Sequence, residues 1–281
     1  MRSTRTVVGW DGSAPSEQAA RWAADHGQRS GGPVHVVRVL TDPARRSAAD
    51  VSTARIELEH FVAILEQTHP DVAATAELAV GDAVHELARI ADRTGLLVIG
   101  ASPAGRIRHP GARTVPLAVI GRQEGVTAVI PADPPPDRHG VVAVVRGRPR
   151  SAGALTVAAR AALELGESLT LLRIRDPYEP VDDAEPVTLE PELRSLTRTY
   201  PDLRAQIDPR WVRSPVSVLS HSDRAALLVL EGRRPTSAPP RYNLERWLAG
   251  AARAPFVVVA EPVVLPGVHE TARRSHLVPA R

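Results

Sequence analysis

The most restrictive feature of the sequence is a strand-and-helix pattern that runs through the first half of the chain and then starts again. Apolar runs typical of buried strands alternate with segments of helical periodicity, in the order βαβαβαβαβ. The predicted strands lie near residues 6–10, 34–40, 72–80, 96–100 and 126–130, and the helices near 14–29, 54–65, 82–91 and 114–123. This alternation predicts a doubly wound parallel sheet, with ligands beyond the carboxyl ends of its strands.

The pattern restarts after a stiff, polar, proline-rich segment at residues 131–137. Strands are predicted at 141–145, 168–174, 227–230 and 256–260, and helices at 151–165 and 189–200. The separation from Gly100 to Val126 agrees within one residue with that from Glu231 to Phe256, which favours an internal duplication.

Duplication predicts two five-stranded, mostly parallel sheets related by an approximate twofold axis. We place the first domain at residues 1–131, a linker at 132–139, the second domain at 140–262 and a loosely ordered tail at 263–281. A chain of 281 residues is long enough for each domain to bury its own core.

Composition excludes several classes of protein. The chain has no cysteine, so disulfides and thiolate metal sites are ruled out, and its ten histidines lack the spacing of metal ligands. No apolar run approaches the roughly 20 residues of a membrane helix, so we expect a cytoplasmic protein without membrane contact. The basic residues are all arginine, but acidic residues are interleaved with them and the net charge is only +3, which argues against a nucleic-acid partner.

Two short motifs stand at the ends of predicted elements: Gly9-Trp10-Asp11-Gly12-Ser13 after the first strand, and Gly81-Asp82 at the start of the third helix. They resemble the G-x-D-G-S turn and the Gly-Asp pair at the same places in the universal stress protein family. The resemblance covers nearly all of residues 5–131 and, more weakly, 140–260. It implies a tandem arrangement in which the last strands of the two domains pair, forming an intramolecular pseudo-dimer.

The family also carries a glycine loop, G-x2-G-x9-G-[S/T], whose backbone amides hold ATP phosphates, and this chain departs from it. Counting from Gly100, proline stands at 103 and Arg113 at the third glycine position, while Thr114 matches the final residue. Proline removes a backbone donor, and arginine adds a side chain where close backbone approach is needed. Loop arginines could instead donate to phosphate through their guanidinium groups.

These matches predict an adenine-nucleotide site, for ATP or a related ligand, in the first domain alone. Its residues are Asp11, Gly12, Ser13, Val39, Gly100, Gly105, Arg106, Arg113 and Thr114. In the second domain Arg146 stands at the position of Asp11 and Glu231 at that of Gly100. A cation would then lie near the adenosine and a carboxylate near the phosphates, the reverse of the arrangement that the resemblance implies for the first domain.

The expected function is that of a non-catalytic stress-response or regulatory protein with weak nucleotide binding. One alternative is a ligand-free scaffold for a protein partner, and another is a nucleotide hydrolase of the same superfamily. The sequence shows no converging base, nucleophile and metal ligands, so we predict no catalytic residue and no metal. It leaves open whether the chain is a monomeric pseudo-dimer or a homodimer.

Overall fold

A computed structural model describes residues 5–41, 47–91, 95–101, 115–123, 125–145, 152–174, 188–209, 212, 215–232 and 244–260. The first half contains β1 (Thr6–Gly9), α1 (Ala14–Ser30), β2 (Val34–Leu40), α2 (Ala48–Thr68), β3 (Ala74–Val80), α3 (Ala83–Ala91), β4 (Leu96–Ala101), α4 (Val115–Ile120) and β5 (Val126–Pro131). The second half contains β6 (Val141–Val145), α5 (Ala152–Leu165), β7 (Leu169–Arg173), α6 (Glu190–Thr199), β8 (Ala205–Ile207), α7 (Pro215–Ser222), β9 (Leu227–Glu231), α8 (Leu244–Ala251) and β10 (Phe256–Val259).

The two halves have the same sheet topology. The strand order is β3-β2-β1-β4-β5 in the first half and β8-β7-β6-β9-β10 in the second, and all neighbours within a half are parallel. The strand order reverses between β1 and β4 in the first half and between β6 and β9 in the second. Doubly wound folds bind their ligands at this point of the sheet. The predicted fold class is confirmed.

The two five-stranded sheets are continuous with each other. β10 pairs antiparallel with β5, so that Phe256 lies opposite Val129 and Val259 opposite Val126, and the result is one ten-stranded sheet. The predicted pairing of the last strands is confirmed, and the ladder between β5 and β10 joins the two predicted sheets into one. The pairing covers two edges that would otherwise expose unpaired backbone groups, and it relates the halves by an approximate twofold axis.

Helices cover both faces of the sheet. One face packs under α1, α2, α5 and α6, and its core runs across both halves through small residues such as Ala19, Ala23 and Ala158. The opposite face is covered by α3 and α4 in the first half and by α7 and α8 in the second. Because both faces are covered, the central strands consist of nearly continuous apolar residues.

Predicted local signals account for most of the elements. Ser13 caps α1 by accepting a hydrogen bond from Ser16 N, and Asp82 accepts one from His85 N at the start of α3. Three elements of the second half were missed: β8, α7 and α8. β8 has only three residues, which is too short for a period-two pattern to appear.

In the described part of the chain, every helix is too short or too polar to cross a lipid bilayer.

Candidate functional site

The candidate site begins where β1 ends and α1 starts. Asp11 follows the strand in an exposed turn, and its Oδ1 accepts two hydrogen bonds from Ser13, one from the amide at 3.0 Å and one from the hydroxyl at 2.5 Å. Gly12 adopts a positive φ of 81°, which a residue with a side chain rarely takes. The G-x-D-G-S motif therefore forms a tight turn that fixes the Asp11 carboxylate at the carboxyl edge of the sheet.

The turn controls the charge of Asp11. Partial burial raises the pKa of the Asp11 carboxyl, but the hydrogen bonds from the hydroxyl and amide of Ser13 outweigh it, and the pKa falls below its ordinary value. Asp11 is thus a carboxylate at neutral pH. It is suited to accept hydrogen bonds from hydroxyl groups and unsuited to contact phosphate.

Ser16 stabilises this turn through two hydrogen bonds, a role that the sequence analysis did not predict. Its hydroxyl donates to Ser13 O at 2.8 Å and accepts from Asp11 N at 3.3 Å, and the residue is only 4% exposed. The sequence alone does not show that Ser16 is buried, because its burial depends on how α1 packs on the sheet.

Gly100 lies at the carboxyl end of β4, beside the first turn of α1. A Cβ placed on residue 100 would overlap the carbonyl oxygen of Pro15 and lie 2.7 Å from the backbone nitrogen of Ser16. Since real Cβ atoms do not come so close to backbone, only glycine lets the helix N-terminus approach β4 at this distance. This packing is a reason for glycine that is independent of any ligand.

Val39 completes the part of the site that the structure describes. Gly9 pairs with Val37 on β2 and with Ile99 on β4, which brings Asp11, Val39 and Gly100 to neighbouring positions along the same edge. The other predicted residues, Gly105, Arg106, Arg113 and Thr114, together with proline 103, lie outside the described residues. Their place in the site remains a prediction.

The same edge is filled differently in the second half. Glu231 ends β9 at the position that corresponds to Gly100, and this glutamate is only 7% exposed. At the corresponding position of the first half, Gly100 has no side chain and the backbone of α1 packs against it. Arg146 and Arg148, the counterparts of Asp11 and Ser13, lie outside the described residues. Within those residues, histidines and carboxylates form no group of three that could hold a metal ion.

Comparison with known proteins shows what this chain resembles in sequence and in fold. The sequence profile of the Universal stress protein family matches residues 3–110. A universal stress protein of Mycobacterium tuberculosis H37Rv is 26% identical over 300 aligned residues, covering 91% of this chain and 95% of the relative. A universal stress protein of Mycobacterium bovis matches over the same extent, also at 26% identity.

Solved structures share the whole arrangement. A universal stress protein from Archaeoglobus fulgidus superposes with a TM-score of 0.69 at 12% identity, covering 92% of this chain and 99% of that chain. A universal stress protein from Pseudomonas aeruginosa, described as putative, reaches 0.54 at 13% identity and covers 92% of each chain. Residues 3–110 thus match the profile of the Universal stress protein family, and the whole chain is similar in sequence to universal stress proteins and shares their fold.

Proposed function

We propose that this chain is a non-catalytic regulatory protein of the stress response that binds an adenine nucleotide weakly, in its first half only. The two halves, residues 1–131 and 140–262, would then act as a ligand-binding domain and a structural partner. The observation that carries the proposal is the Asp11–Ser13 turn, which holds a carboxylate at the carboxyl edge of the first half. In the second half, the strand end that corresponds to Gly100 carries the buried side chain of Glu231.

The chemistry of the turn supports a nucleoside at this edge. Both hydrogen bonds from Ser13 end on Oδ1 of Asp11, so Oδ2 is the oxygen offered to ribose hydroxyls, as acidic residues are in other doubly wound folds. Phosphates would extend away from this carboxylate toward the loop that carries Arg106 and Arg113. Guanidinium donors are exposed to salt screening, so we expect modest affinity that falls as ionic strength rises.

The first test asks whether the purified protein carries a nucleotide. Denaturing it and chromatographing the supernatant would reveal bound adenine nucleotide directly. Calorimetry with added ATP should then give one site per chain. Two equal sites would contradict the proposal, because the second half lacks the Asp11 turn and carries the buried Glu231 side chain at the position of Gly100. No binding at all would favour the alternative function, a ligand-free scaffold for a protein partner.

Replacing Asp11 by alanine is expected to weaken ATP binding at least tenfold, because a hydrogen bond to a charged group contributes about 1.5–3 kcal/mol. Asp50→Ala provides the matched control. Asp50 also bonds a capping serine at a helix start, Ser47 of α2, but it lies outside the candidate site. Calorimetry should show unchanged affinity for Asp50→Ala. Equal affinities for Asp11→Ala and the natural protein would remove Asp11 from the site.

A further inference from the structure

Helices α1 and α5 come together on one face of the sheet, beside the β5–β10 pair that joins the halves. His26 Nδ1 on α1 lies 3.6 Å from Glu164 Oε2 on α5, and both side chains are about three-quarters buried. The imidazole also stacks on Trp22, with 5.7 Å between the ring centroids and 11° between the planes. This side-chain contact therefore links the first half to the second.

Two arginines flank the contact. Burial, together with the nearby charges of Arg29 on α1 and Arg160 on α5, lowers the pKa of His26 to about 4. Burial raises the pKa of Glu164, an effect that the same two arginines oppose. Asp25, next to His26 in sequence, pairs with His69 instead, with 3.3 Å between Asp25 Oδ1 and His69 Nε2. At neutral pH His26 is therefore a neutral imidazole, in contact with Glu164 and near the charges of Arg29 and Arg160.

The positions in this junction can be matched between the halves. Buried residues of α1 and α5 correspond at a constant separation along the chain: Ala19 with Ala154, Ala20 with Leu155, Ala23 with Ala158, Ala24 with Ala159 and Gly27 with Ala162. The same separation matches Arg29 with Glu164, Asp25 with Arg160 and His26 with Ala161. Equivalent positions of the two halves therefore carry opposite charges, and the histidine has no counterpart.

We propose that His26, Arg29, Arg160 and Glu164 form an asymmetric lock through which α1 selects the second half of its own chain as partner, in preference to the first half of a second copy. In a symmetric pair of two first halves, Arg29 of the second copy would stand where Glu164 stands in the natural chain. It would therefore face Arg29 of the first copy. A symmetric pair of two second halves would bring two Glu164 side chains together and replace His26 by Ala161. Like charges at such a contact disfavour both wrong pairings.

A double-mutant cycle tests whether the charges couple across the halves. Arg29→Gln, Glu164→Gln and the double variant are compared by thermal unfolding of the full chain. Each single change should lower the midpoint. Because an exposed charge contributes at most about 1 kcal/mol to such a pair, the midpoint of the double variant should lie about 1–3 °C above the value that the two single losses predict when added. Arg21→Gln is the matched control. It sits on the same helix but pairs with Glu17 at 3.0 Å, so its effect should add simply to that of Glu164→Gln.

Partner choice is the second measurement. Two differently tagged full-length chains are unfolded together in urea and refolded as a mixture. The natural protein should give no complex that carries both tags, whereas Glu164→Arg, which makes the two equivalent positions alike, should form mixed complexes. Additivity in the cycle, or mixed complexes of the natural protein as abundant as those of Glu164→Arg, would overturn the proposal.

The dependence of stability on pH tests the lock independently of the charge substitutions. The pKa of His26 in the folded chain, about 4, lies below its ordinary value of 6.5, so the unfolded chain binds more protons between these values. Its contribution to stability is fully present above pH 6.5 and is lost as the pH falls to about 4. The raised pKa of Glu164 acts in the opposite sense, favouring the folded chain as that carboxylate takes up its proton.

His26→Gln should therefore flatten the fall of the unfolding midpoint between pH 6.5 and 4 relative to the natural protein. His60→Gln, on an exposed position of α2, should keep the natural slope. If the slopes of the natural protein and His26→Gln coincide, the histidine does not belong to the lock.

Discussion

Replacing Gly100 by alanine is expected to lower the free energy of unfolding by about 3 kcal/mol or more, the upper range for overpacking a tight core. The new methyl group would overlap the carbonyl oxygen of Pro15 and lie 2.7 Å from the backbone nitrogen of Ser16. Backbone atoms in the first turn of α1 cannot rotate away as a flexible side chain could. Either α1 shifts as a body or β4 bends, and both disturb the core beneath them.

The thermal midpoint should fall by roughly 6–12 °C for such a loss. Gly166→Ala is a matched control, because this glycine has a positive φ of 67° but no atom within 4 Å of a new Cβ. It should cost only about 1 kcal/mol of backbone strain. An equal effect of the two changes would show that the close contacts at position 100 are relieved at little cost in stability.

The architecture was largely predictable because alternation of strands and helices is a local property of the sequence. α2 is an example: Ala54, Leu58, Val62 and Leu65 recur at helical spacing, and all four are buried on one side of the helix. β8, with three residues, and the helices α7 and α8 were missed, since a short element carries too few residues for its period to stand out.

The candidate site was predictable only where its signal is local. The Asp11–Ser13 turn follows from five consecutive residues whose types determine the backbone conformation. Gly100 was recognised as part of a motif, but its role in letting α1 approach β4 depends on the packing of distant segments. The pairing of His26 with Glu164 has no sequence signal, because the two residues lie in different halves and meet only when β5 pairs with β10.

Truncating Phe256 to alanine should cost about 3–5 kcal/mol, the usual loss for a buried phenylalanine. The ring is 1% exposed and belongs to the core on the face covered by α7 and α8. Phe256 also lies opposite Val129 of β5 and beside Leu228 of β9, so one side chain contacts strands of both halves. Its loss should loosen the junction as well as the second half.

Hydrogen exchange of backbone amides can separate these effects. Phe256→Ala should speed exchange in β5 and in β9 together, because β10 hydrogen-bonds to both strands. Leu58→Ala, a comparable truncation of a residue that is also 1% exposed, lies on α2 far from the junction. It should speed exchange in β2 and β3, where α2 packs, and leave β9 unchanged. Unchanged exchange in β5 of Phe256→Ala would mean that the first half does not depend on the second for its stability, despite the continuous sheet.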